Sequence, residues 1–266
     1  MDYWYDGNLN EQENRREKDG VVYYIRGLRE VYGKRMERYG IQTHFVEEGE
    51  SYVDLVQRYV VPIYEKGDFL SISEKVIAMC QDNTVYMEDL KIGWMARILS
   101  RFGKKTNSGI GVTEVHKLQL MIDLKGPLHV LWAAFAGAIG KIFGKHGLFY
   151  LILGVEVSGI DGFYEHSAFV PYHSMATLTP KKPDRVCQRI EEKTGIPTMV
   201  VDANDIDVVI LGKSPSIKWV SDTLLKEYIR DNPAGQDDEC TPFILIRDIG
   251  DAKAETFIPK AAKKER

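Results

Sequence analysis

Two aspartates stand where apolar runs end. Asp161 closes the run that begins at Leu151, and Asp202 closes the run that begins at Ile196. A carboxylate at the point where a buried strand reaches solvent is held rigidly at the sheet edge, where the ligands of α/β proteins usually bind. Two such groups suit a hard divalent cation. Mg2+ and Mn2+ take oxygen donors, commonly one or two protein carboxylates, with phosphate oxygens completing the shell. The pair therefore points to nucleotide chemistry, with Asp161 and Asp202 as the metal ligands and Asp205, Asp207 or Glu74 as further donors. Acids and glycines also end strands as plain turns, and by spacing alone that is the commoner reading of Asp161-Gly162 and Asp202-Ala203-Asn204-Asp205.

The elements that must position these groups can be read from periodicity. Ile41 to Val46 reads as a short strand. Tyr52, Leu55, Val56, Tyr59 and Val60 then share one helical face, with Ser51 and Asp54 as a capping pair and Pro62 as the stop. Phe69 to Ser73 reads as a strand that delivers Glu74 and Lys75 to its end. Leu90, Trp94, Ile98 and Phe102 mark a helix with a basic exit at Arg97, Arg101, Lys104 and Lys105, an ordinary arrangement at a helix C-terminus. The glycine-rich loop at 107 to 111 has no nucleotide fingerprint. The aliphatic runs at 127 to 143 and 148 to 155 are assigned to core or dimer contact. Pro183 suits a first helical position, with Val186, Cys187 and Ile190 as the buried stripe and Gly195 as the stop. A strand to Asp202, a strand from Asp207 to Leu211, a helix from Ser216 to Arg230 and a strand from Phe243 to Arg247 complete the pattern. Such alternation predicts an α+β (mixed α/β) fold, mixed sheets with flanking helices.

The chain of 266 residues carries a formal charge of -4. That balance argues against binding nucleic acid or anionic membrane by bulk attraction, while leaving room for a local patch. Cys80, Cys187 and Cys240 form no CxxC pair, which fits reduced thiols in a cytosolic (cytoplasmic) protein without a zinc site. Residues 1 to 20 lack the apolar centre of a signal peptide, and no stretch is long enough to span a bilayer, so no membrane partner is expected. Residues 1 to 38 read as a partly ordered arm, 39 to 255 as the globular domain, and 256 to 266 as a basic tail.

Four segments then fall in a telling order: Gly67-Asp68-Phe69-Leu70-Ser71-Ile72-Ser73-Glu74-Lys75, Ser158-Gly159-Ile160-Asp161, Pro180-Lys181-Lys182-Pro183-Asp184 and Val200-Val201-Asp202. Over about residues 39 to 250 the chain resembles the coenzyme F-420 gamma-glutamyl ligases. The resemblance implies their fold and a homodimeric, GTP-dependent enzyme that uses Mg2+ or Mn2+ to join glutamate to a carboxylate acceptor. By matching of motifs, Asp161 and Asp202 look like the metal-binding aspartates. Glu74-Lys75 looks like the nucleotide-binding dipeptide, with Lys75 catalytic beside the two aspartates. Thr43, His44, Phe45 and Val46 look like the N-terminal nucleotide segment, and Gly235, Gln236, Asp237, Asp238 and Glu239 like the C-terminal nucleotide loop. The chain departs from the family at Met79, where a second lysine is the pattern, and at Tyr164, which replaces an asparagine. Ala203 replaces a threonine, and Asn204 to Asp207 replace a Gly-Arg-Pro segment.

Amide formation from a carboxylate needs activation, and phosphorylation by a nucleotide supplies it. Lys75 would meet the developing phosphate charge, although a lysine beside a glutamate is also an ordinary surface pair. His166 and His173 have phosphate-binding or acid-base chemistry, yet loop histidines are commonly just solvated. The leading expectation is an amide ligase whose partners are a nucleotide, an amino acid and a carboxylate acceptor. A second is a binding protein on the same scaffold that has lost turnover. A third, RNA binding through 97 to 105 and the arm, explains fewer residues.

Overall fold

The computed structural model describes residues 12–102, 114–145, 147–165, 167, 169–204, 207–235 and 239–250. It divides the chain into two compact units, one formed by the chain up to Asp82 and from Pro180 onward, the other by Asn83–Thr179.

The first unit opens with β1 (Arg15–Lys18), β2 (Val21–Val31) and β3 (Lys34–Ile41), followed by α1 (Tyr52–Tyr59), β4 (Phe69–Ser73) and α2 (Glu74–Cys80). The second unit holds β5 (Thr84–Tyr86), α3 (Trp94–Leu99), α4 (Val115–Lys125), α5 (Pro127–Ile142), α6 (Leu148–Leu153), α7 (Val155–Ser158), β6 (Asp161–Gly162), α8 (Pro171–Ser174) and β7 (Met175–Thr177). The chain then re-enters the first unit with α9 (Pro183–Thr194), β8 (Thr198–Ala203), β9 (Val208–Lys213), α10 (Asp222–Ile229) and β10 (Phe243–Asp248).

The first unit is built on a seven-stranded mixed sheet in the order β1-β2-β3-β10-β4-β8-β9. Neighbours are antiparallel except β4 and β8, which run parallel with Ile72 opposite Val200 and Ser73 opposite Val201. One face packs on α10, where Met199 and Val201 meet Leu225, Tyr228 and Ile229. On the alternate positions of β8, Thr198 and Val200 are fully buried and α9 covers β8 and β9. Strand alternation explains both faces, because a central strand must be apolar on each. The start of α9 is fixed to β9 at two points. The Asp184 carboxylate accepts the Lys213 backbone N–H at 2.9 Å, and a Cβ on Gly212 would lie 2.5 Å from the Pro183 carbonyl carbon. The Lys213 N–H and then Lys218 hold the Asp184 carboxyl below its usual range.

Three expectations need correction. The strand placed at Ile41 to Val46 ends at Ile41, and the following residues leave the sheet. Residues from Arg15 onward, expected as part of an arm, supply three strands. Their charges misled because two are interior: Arg26 is 3 % and Arg38 is 2 % exposed. Arg26 Nη2 donates to Glu239 at 3.0 Å and to Thr241 at 3.1 Å, while Arg38 is ion-paired with Asp231 and donates to the Arg26 carbonyl at 2.9 Å. Finally, the run into Asp161 is helical, not a buried strand. Gly147 and Gly154, both at positive φ, bracket α6, and an uninterrupted apolar run does not by its period distinguish a buried strand from a short helix.

The second unit carries a three-stranded sheet ordered β5-β7-β6. Its core gathers Leu118 and Met121 of α4, Val130 and Ala133 of α5, Leu153, Val157, Ile160 and Phe163. Among the described residues no helix is long and apolar enough to cross a membrane, and all three cysteines are free thiols.

Candidate functional site

Strand direction gathers most of the expected site residues. Because β3, β4 and β8 run the same way and β10 runs against them, their C-terminal ends and the N-terminal end of β10 lie at one end of the sheet. Thr43 follows β3, Glu74 and Lys75 follow β4, Asp202 lies near the end of β8, and Glu239 to Thr241 lead into β10. Hydrogen bonds tie these exits together. The Thr43 N–H donates to the Cys240 carbonyl and the Ser73 N–H to the Pro242 carbonyl, each at 3.0 Å.

Each residue meets a distinct environment. Thr43 is buried, His44 exposed, Phe45 half-buried and Val46 buried. His44 Nδ1 lies 2.7 Å from the Tyr59 hydroxyl and its Nε2 lies 2.9 Å from Glu50. Burial pushes the Glu50 carboxyl upward, but the Glu47 N–H and His44 prevail and hold it below the usual range. Glu74 is buried as the first residue of α2, and Lys75 is half-buried. Asp202 is half-buried and pairs in register with Val209. By alternation it shares the sheet face of Val200 rather than that of Val201.

Glu239 is 1 % exposed, and its carboxylate is ion-paired with the buried Arg26. Burial pulls the Arg26 guanidinium down to about 10 against the opposing pull of Glu239. Gly235 is at φ +81°, and a Cβ there would lie 1.6 Å from a Glu239 carboxylate oxygen, so a side chain at this position would be strained and would push that carboxylate aside. Gln236, Asp237 and Asp238 lie outside the described residues, as do Asp205 and His166. Asp207 is exposed and closes the β8–β9 turn, its N–H donating to the Asn204 side chain at 3.1 Å.

Asp161 belongs to the second unit. It is exposed at the start of β6, paired in register with Thr177, whose hydroxyl donates to the Asp161 carbonyl at 3.3 Å. The glycine after it is sterically required: a Cβ on Gly162 would lie 2.2 Å from the Met175 carbonyl oxygen. In the same unit His173 Nε2 lies 2.9 Å from the Ser167 carbonyl, and Tyr164 is exposed.

Among the described residues no group of three or more His, Cys, Asp or Glu side chains is placed to hold a metal. A nucleotide-borne Mg2+ asks less, since one or two carboxylates suffice when phosphate oxygens complete the shell. Asp202, half-buried near the end of β8, is a hard oxygen donor of the kind such an ion takes. A small cavity of about 40 Å³, to which sequence gave no role, lies between the sheet and α10 and is lined by Ser71, Ser73, Asn232 and Pro242 among others. It lies on the opposite sheet face from Asp202 and is far below the roughly 300 Å³ of a small-molecule pocket. The signal for it was the alternation of Ser71 and Ser73 with Leu70 and Ile72. Compared with family models and with curated proteins, the chain matches none.

Proposed function

We propose that the chain is a metal- and nucleotide-dependent amide ligase of the coenzyme F-420 gamma-glutamyl ligase type, acting on a nucleotide such as GTP, an amino acid and a carboxylate acceptor. The observation that carries this reading is the shared sheet end: the C-terminal ends of β3, β4 and β8 lie beside the start of β10. Ligands of open α/β sheets bind at the carboxyl ends of strands, because loops there are held by a rigid scaffold and are free to vary.

In this reading Asp202 holds the metal, which when bound supplies charge stabilisation at the transferring phosphoryl oxygens. Lys75 sits one residue into α2 and neutralises developing charge on the phosphate as a mobile point charge. The Thr43 to Val46 segment and the loop from Gly235 frame the nucleotide. The Thr43 N–H is already bonded to the Cys240 carbonyl, so these two points are held together before ligand arrives. Transfer of the terminal phosphoryl group to the acceptor carboxylate gives an acyl phosphate and a nucleoside diphosphate. Attack by the amino nitrogen then forms the amide, expels phosphate and releases a proton.

A second reading is favoured by Met79. It is 2 % exposed, so the position where the family pattern has a second lysine belongs to the core in this chain. That favours a nucleotide-binding protein on the same scaffold without turnover. Nucleotide hydrolysis measured with Mg2+ or Mn2+, with and without glutamate, separates the two. Glutamate-dependent phosphate release supports the ligase, binding without release supports the second reading, and absence of nucleotide binding defeats both.

A further inference from the structure

Helix α5 is apolar on two sides. Val130, Ala133, Gly137 and Gly140 face its own unit, and the glycines admit α6 so closely that a Cβ on Gly140 would lie 2.4 Å from the Leu148 side chain. A second stripe at helical spacing, comprising Leu128, Leu131, Trp132, Phe135, Ile139 and Ile142, faces outward. Leu128 and Ile142 are each 81 % exposed and Trp132 is 60 % exposed, and Phe143 and Leu151 extend the patch. Its surface is grooved between Trp132, Phe135, Phe143 and Leu148. A contiguous apolar surface of this kind marks a docking site.

Charge decides the occupant. From Leu124 to Val155 the sequence contains Lys125, Lys141 and Lys145 and no aspartate or glutamate. Lys125 pairs with Glu156 outside that stretch. Lys141 and Lys145 are exposed at the end of the apolar stripe, with no ion-pair partner among the described residues. A second copy docking through this stretch would offer these lysines no carboxylate between Asp123 and Glu156 at its two ends, whereas an anionic lipid surface supplies phosphates beside an apolar layer. Length sets the mode of contact. The 16 residues of α5 extend about 24 Å, short of the roughly 30 Å hydrocarbon core, so the helix lies on a bilayer and does not cross it.

We infer that the α5–α6 hairpin docks the second unit on anionic membrane surfaces. Leu128, Trp132, Phe135, Ile142 and Phe143 enter the boundary between headgroups and acyl chains, and Lys141 and Lys145 meet lipid phosphates. This departs from the expectation of no membrane partner and is independent of the ligase reading.

Flotation of the full chain with vesicles of phosphatidylcholine alone, or mixed with phosphatidylglycerol, tests it. The chain is expected to float with the mixed vesicles and to be released by raised salt. Lys141→Glu combined with Lys145→Glu should weaken the association about tenfold or more. Leu128→Asp combined with Ile142→Asp should abolish it while leaving the thermal unfolding transition in place, because both side chains are exposed. No flotation with either vesicle, or flotation that these variants leave unchanged, overturns the inference. So does a dimer in analytical ultracentrifugation that the aspartate variant dissociates, since that makes a second copy the occupant.

Discussion

Ser73 and Val201 are register partners across the parallel strands β4 and β8, so the residues after them, Glu74 and Asp202, leave adjacent strands at the same end of the sheet. Strand neighbours lie about 4.8 Å apart. An acid and the dipeptide Glu74-Lys75 are thus delivered to one edge by backbone hydrogen bonding alone.

If Asp202 binds a nucleotide-borne cation, Asp202→Asn lowers Mg2+-dependent nucleotide affinity at least about tenfold with the unfolding midpoint unchanged without metal. Isothermal calorimetry reads the affinity. Unaltered affinity removes Asp202 from the site. The same measurement on Asp161→Asn tests the role that the resemblance gives to Asp161.

The ion pair of Arg26 and Glu239 is sealed from water, with side chains 1 % and 0 % exposed. Removing one partner leaves the other charged and buried, so Glu239→Ala should cost about 3–5 kcal/mol in urea denaturation. Replacing both, as Arg26→Met with Glu239→Leu, should recover much of that loss. A single variant as stable as the parent would show that the pair is not sealed.

Asp231 gives the chain an acid-side dependence. Burial pushes its carboxyl upward, but Arg38 dominates and holds it below the ordinary value. A carboxyl depressed in the folded state contributes stability above its unfolded pKa of roughly 3.9, which is lost as pH falls through the lower folded value. Unfolding free energy should therefore decline on acidification below about pH 4. Asp231→Asn, less stable at neutral pH, should show a shallower decline. An identical slope in the variant would contradict the assignment.

Gly162 stands at φ +135° with the Met175 carbonyl against it. Gly162→Ala should destabilise the second unit by about 2 kcal/mol or more, read as faster amide hydrogen exchange in α4 and β7. Wild-type protection would show that β6 can shift to accommodate a methyl group.

Local signals were legible where local chemistry decides the element. The Ser51 cap starts α1, its side chain accepting from the Asp54 N–H at 3.3 Å, and Pro183 and Gly195 bracket α9. Strands β4, β8 and β10 carried strong apolar runs. What stayed hidden depends on distant partners. In β2 the register shifts between Ile25 and Leu28, which breaks the period of two, and Arg26 is made interior by Glu239, more than two hundred positions away. Of the candidate site, the exits of β4 and β8 were visible as single segments. Their adjacency was not, because a parallel pairing across an inserted unit leaves no trace in spacing.

Strand β10 comes last among the described strands and yet sits between β3 and β4. During synthesis, β3 and β4 emerge long before it and cannot pair with each other across its place. Each keeps an open hydrogen-bonding rim until Phe243–Asp248 leaves the ribosome, by which time all of Asn83–Thr179 has already appeared. Unfilled rims of this kind are templates for pairing with foreign strands. Nascent chains halted before Phe243 should therefore lean heavily on chaperones, and the second unit should reach its native state first.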